Sequence, residues 1–169
     1  MAYAVIRTDN MTGTDVNAAL VSFKYMGANG AAAAELENGS VVKINSLMEG
    51  ERELWVGTDV AANTPIDQVV IAAGVEVMHD ERKHNLDEYI NEKGKAIRGY
   101  RPHKNHDTFS VTKEAFAAGS ALAKGNIVEL AAGTKMKAVA TATSGATKIG
   151  EIIAIEKAGR YEYYVIHVC

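Results

Sequence analysis

The sequence predicts a mainly β protein: a small antiparallel β-sandwich or barrel with one or two short helices and an extended N-terminal arm. Three observations carry this. Short apolar runs recur on both flanks of the chain, each bounded by Gly, Asn, Asp or Pro. Turn signals follow one another closely at Gly125-Asn126, Ala132-Gly133-Thr134, Ser144-Gly145 and Ala158-Gly159, which leaves no room for βαβ crossovers. Helix signals are confined to two brief stretches.

Taken in order, residues 1–14 lack helix signals and span roughly 45 Å if extended. They read either as an arm that adds an edge strand to a neighbour or as a first strand, Tyr3-Ala4-Val5-Ile6-Arg7, within the chain's own sheet. Residues 15–78 form a β-rich part with strands at Leu20–Tyr25, Val41–Ile44, Glu53–Val56 and Gln68–Ile71. Asn38-Gly39 lies between two of these runs and reads as a hairpin turn, since both residues tolerate positive φ. Residues 79–107 form a polar, charged insertion. Within it, Asn85 followed by Glu88 signals a capped helix that Gly94 stops. Residues 108–169 form a C-terminal small barrel or sandwich, opened by a two-turn helix at Thr112–Gly119. Its strands are Ile127–Leu130, Met136–Thr141, Lys148–Glu156 and Tyr161–Val168. The last two are apolar on both faces, as expected of a covered hairpin.

Composition narrows the function. The 169 residues are 47% hydrophobic but only 7% aromatic, so the core uses small and β-branched side chains. A net charge of -3 removes the basic signal of a general nucleic-acid binder. One cysteine, Cys169, permits no intramolecular disulfide. The start has no basic n-region with an apolar h-region, and no run reaches membrane-spanning length. The expectation is a soluble protein of a reducing compartment.

Catalytic templates fail on named residues. His79, His84, His103 and His106 cluster with Asp80, Glu81 and Asp107, yet the spacing is not that of a His-Glu-x-x-His helix, and Pro102 argues against a helix beneath His103 and His106. Solvated surface histidines are the favoured reading, with no metal. Ser144-Gly145 is no nucleophile elbow, and Cys169 has no framework for a base. Gly94-Lys95 is followed by Ala96 rather than Ser or Thr, so no P-loop is present, and Gly27-Ala28-Asn29-Gly30 is no dinucleotide fingerprint. No cofactor is expected. The basic run Lys93, Lys95, Arg98, Arg101 and Lys104 is offset by the preceding acids. A solvated face or a polar protein contact is therefore favoured over nucleic acid. Arg82, Lys83, Lys95, Arg98, Tyr100 and Arg101 are the candidate polar docking residues.

Several segments carry a likeness: Ile6-Arg7-Thr8-Asp9-Asn10-Met11, Asp80-Glu81-Arg82-Lys83, Asn91 through Tyr100, Phe109 through Glu114, and Gly159-Arg160-Tyr161 with Tyr163-Tyr164-Val165-Ile166. They resemble a family of small tailed-phage virion proteins encoded near the major capsid protein. The resemblance implies a non-enzymatic head decoration, or cement, protein that binds the outside of the expanded shell and holds it against internal DNA pressure. It also implies the major capsid protein as partner, a homotrimer, no direct nucleic-acid or membrane contact, and synthesis in a bacterial host's cytoplasm. The arm residues Ala2, Tyr3, Val5, Ile6, Arg7 and Met11 are then the first candidates for capsid or neighbour contact. On that reading, removing residues 1–11 abolishes shell binding without unfolding the protein. A tail-tube, neck or head-completion protein is the rival from the same neighbourhood. A metal-dependent phage enzyme using the His79–His106 cluster is the rival from another class.

Overall fold

A computed structural model describes residues 2–11, 19–80, 82–105 and 107–169. The chain is mainly β, in two sheets. Strands β1 (Leu20–Tyr25), β2 (Val41–Leu47), β3 (Leu54–Thr58), β4 (Val69–Ala72) and β5 (Ile97–Tyr100) close a barrel in the order β1-β3-β2-β4-β5, and β5 returns to β1. All its pairings are antiparallel except β1 with β3. Strands β6 (Thr108–Val111), β7 (Ile127–Leu130), β8 (Met136–Val139), β9 (Lys148–Ala158) and β10 (Tyr161–Val168) form an antiparallel sheet in the order β6-β10-β9-β7-β8.

Phe23 fills the barrel. Its fully buried ring sits with Tyr25, Leu36, Val42, Ile44, Val70, Ala72 and Ile97. Gly57 and Gly99 leave space for it: a Cβ would stand 2.6 Å from the ring at Gly57 and 2.9 Å at Gly99. The barrel's outer side supplies Val41, Val69, Ile71 and Tyr100 to a second core against Phe109, Val111, Leu130, Met136, Ile152 and Ile166 of the sheet. All four residues of β4 are therefore buried, because alternate side chains enter the two cores.

Residues 3–7 run along the chain's own sheet, and Thr8–Asn10 then form a 3-10 turn. The amide of Thr112 donates to Val5 O at 3.0 Å, that of Arg7 donates to Ser110 O at 3.0 Å, and Ile6 bridges Val111. Of the two readings of this segment, the structure shows the strand on the chain's own sheet. Val5 and Ile6 are 1% and 2% exposed, so these two candidate contact residues are core residues of this chain. Tyr100 is likewise no docking residue. It pairs with Ile71 on the barrel wall that faces the sheet, and it is buried there.

Other elements differ from the sequence reading in definite ways. The residue span read as an insertion holds β5, which closes the barrel, and the closed barrel is built by residues 20–100 rather than by residues 108–169. β5 was hidden because Gly99 stands where alternation calls for an apolar side chain, its place being taken by Phe23. Among the described residues the helical segments are single 3-10 turns, including Leu86–Glu88 and Lys113–Ala115. At the first, the Glu88 carboxylate accepts from the amides of Asn85 (2.9 Å) and His84 (3.0 Å), but Tyr89 then turns extended. At the second, Phe116 is drawn into the core against Tyr164 and bridges Met136. Asn38-Gly39 has the positive φ expected at Gly39, yet it joins no hairpin, because β2 pairs with β3 and β4. The β9–β10 hairpin is covered on both faces along Tyr163–Ile166, whereas Ile153 and Ile155 of β9 remain 40% and 45% exposed.

Candidate functional site

The chain leaves β4 through Gly74, and Asn38 takes up its backbone as a neighbouring strand would. Asn38 Oδ1 accepts from the Gly74 amide at 2.8 Å, and Asn38 Nδ2 donates to Gly74 O at 3.0 Å. Asn91 Nδ2 donates to Asn38 Oδ1 at 2.9 Å and to Leu36 O at 2.9 Å. Only glycine fits at position 74, since a Cβ would lie 2.1 Å from Asn91 Oδ1.

Past this anchor, residues 75–80 run with strand-like alternation. Val75, Val77 and His79 point outward, while Glu76, Met78 and Asp80 are half-buried. No strand among the described residues pairs with the segment. Val75 and Val77 are 60% and 58% exposed, the highest values among the large apolar side chains. A groove of about 470 Å³ runs beside Val77, His79, Lys83, Tyr89 and Glu92, and a second of about 310 Å³ adds Lys95. A third, of about 370 Å³, lies between Glu76, Leu86, Tyr161 and Tyr163 and the N-terminal residues Arg7 and Asp9. The result is an apolar row framed by open grooves and charges, the composition of a contact surface with an apolar centre and a polar rim.

Asp87 clamps three parts of the molecule beside this surface. Its carboxylate accepts two bonds from Arg160 at 2.5 and 2.6 Å and one from Tyr161 Oη at 2.9 Å, and its carbonyl accepts from the Tyr3 amide at 3.0 Å. Arg160 also covers the Tyr161 ring, and Arg7 lies over Tyr163. Burial alone would raise the Asp87 pKa, but the bonds from Tyr161 and Arg160 and the Arg160 charge outweigh it and hold the carboxyl below its ordinary value. A depressed folded pKa gives stability that is complete above the unfolded value and lost as pH falls through the folded one. Acidification below the ordinary carboxylate range is therefore expected to release the β9–β10 turn, read as a loss of tyrosine near-ultraviolet dichroism. Asp87→Asn should lack that acid transition, and an identical transition in the variant would place it elsewhere. Glu76 is shifted the other way, chiefly by burial and despite a bond from Asn38.

The other candidates are dispersed. Ala2 is exposed, Tyr3 and Arg7 are half-buried along the paired N-terminal segment, and Met11 is half-buried just after the 3-10 turn. Arg82 is exposed and paired with Asp80 at 2.9 Å. Lys83 and Lys95 border the grooves, whereas exposed Arg98 lies on β5. Arg101 sits over the Trp55 ring, 5.5 Å from its centroid, with its Nε buried and unpaired. His79 and His84 are exposed, His103 approaches Asp107 at 3.3 Å, and His106 lies outside the described residues. Among the described residues no group of three His, Cys, Asp or Glu side chains is placed to hold a metal, and no helix is long and apolar enough to cross a membrane. Sequence reasoning missed Gly74 and Asn91. Its one trace of this network was Asn38-Gly39, whose turn signal reflected Gly39's positive φ.

No family model, curated protein or solved structure matches the chain.

Proposed function

We propose that the protein is a non-enzymatic virion component, a head decoration protein that docks on the major capsid protein and holds the expanded shell. The observation that supports this best is the unpaired row Val75, Val77 and His79, displayed between grooves and anchored by buried amides. Such a row suits a permanent protein contact, and many modest contacts repeated over a shell sum to a large stabilisation by mass action. The likeness in the sequence to small phage virion proteins points the same way. The docking role moves from the N-terminal residues to this row, because Val5 and Ile6 are occupied by the chain's own core. Trimers at local three-fold positions on the capsid exterior are the matching assembly.

The test is binding to expanded shells stripped of accessory proteins. Covering what each valine still exposes contributes about 1–2 kcal/mol, and an aspartate there must also be desolvated, so Val75→Asp with Val77→Asp is expected to weaken binding on the order of 100-fold. Both side chains face solvent, so the double variant should keep the wild-type circular dichroism. Full shell occupancy by the folded variant would overturn the assignment of this surface. Binding of wild-type protein to tails or necks at low copy number, and not to shells, would overturn the decoration role.

A further inference from the structure

The chain contains two Asn-Gly pairs, Asn29-Gly30 and Asn38-Gly39, the dipeptide in which an unhindered glycine amide most readily attacks the preceding side chain. We infer that Asn29 is a site of spontaneous deamidation in the folded protein, whereas Asn38 is modified only when the native structure opens, and irreversibly so.

The chemistry is the same at both sites. The backbone nitrogen of the glycine loses its proton and bonds to the asparagine Cγ. The Cγ–Nδ2 bond breaks and ammonia leaves. Water then opens the cyclic imide at either carbonyl, giving aspartate or isoaspartate. No oxidant, metal or enzyme is needed.

The surroundings differ. Asn29 is exposed in a turn, and the Gly30 amide makes only a long bond to Gly27 O, at 3.4 Å. Asn38 is 1% exposed, and its amide group is held on every side. Nδ2 donates to Gly74 O and, at 3.3 Å, to Glu76, while Oδ1 accepts from Gly74 N and Asn91 Nδ2. The attacking group is held as well, since the Gly39 amide donates to Ala72 O at 2.7 Å. Cyclisation therefore requires several buried bonds to open together, which ties its rate to the population of opened molecules.

The product at position 38 does not fit the native site. An acid has no N–H for Gly74 O, its charge lies beside Glu76, and isoaspartate lengthens the backbone just ahead of β2. A buried acceptor left unpaired and an uncompensated buried charge both disfavour refolding.

The experiment incubates the full-length protein at mildly alkaline pH, with and without urea, and follows both sites by peptide mapping and ammonia release. In urea the two asparagines should react at similar rates. In the native protein Asn29 should react at close to its urea rate, and Asn38 at least roughly 100-fold more slowly. Asn91→Ala, which leaves both reacting groups in place, should raise the native rate at Asn38 and leave Asn29 unchanged. Chains deamidated at Asn38 in urea should return on refolding with a lower urea midpoint than chains modified at Asn29 alone. Equal native rates at the two sites, or full recovery of stability after modification at Asn38, would overturn the inference.

Discussion

Phe23→Ala is expected to destabilise the protein by about 3–5 kcal/mol, the largest effect of any single substitution in the barrel. A five-stranded barrel has little interior, and this ring is its largest fully buried side chain. Its neighbours have already yielded their own Cβ atoms, so a cavity at position 23 has no side chain at Gly57 or Gly99 to collapse into it. The complementary change is informative. Gly57→Ala puts a methyl 2.6 Å from the ring and is expected to be destabilising by about 1–3 kcal/mol. In a Phe23→Leu background the same alanine should be tolerated better, because the clash is with the ring. Urea denaturation of the four proteins gives the coupling directly. Additive effects would mean that Gly57 is needed for some reason other than Phe23.

Removing residues 1–11 is expected to lower stability by roughly 3–6 kcal/mol, from the burial of Val5 and Ile6 alone. That is a large part of the net stability of a typical domain. The segment also supplies the backbone partners of Ser110 and Thr112, so its loss leaves β6 as a raw sheet edge. This reverses what an independent arm would do: truncation should disturb the fold first, and any loss of shell binding would follow from that. A truncated chain with the wild-type urea midpoint would show that the strand contributes nothing in place.

Most strands were legible because their boundaries are marked chemically, by Gly, Asn and Pro around β-branched runs. β6 was not read as a strand, and β5 was missed for the reason that made the barrel possible. In Ile97-Arg98-Gly99-Tyr100 the apolar alternation is interrupted by a glycine that belongs to Phe23, far away in sequence. Local signals also overstated helix. A capping pattern at Asn85–Glu88 and an alanine-rich stretch after Thr112 each form one turn, since packing of Phe116 and the extended course after Tyr89 override propensity. The candidate surface was legible only in composition. The charged centre was visible, but its apolar row begins at Val75 and depends on Asn38 and Asn91, contacts that span 36 and 53 residues. Position in the chain also misled at Tyr100, which shares a basic run with exposed side chains yet faces a core.

The wall formed by β4 has a consequence for how the molecule can change. Its four residues are a boundary with no outside: Val70 and Ala72 answer to the barrel, Val69 and Ile71 to the sheet. Neither half can drift in shape without the other accommodating it through the same short strand. The two sheets therefore share one fate in mutation as well as in folding, and variation has its freedom at the rim, where residues 75–80 leave the wall and face whatever the protein meets.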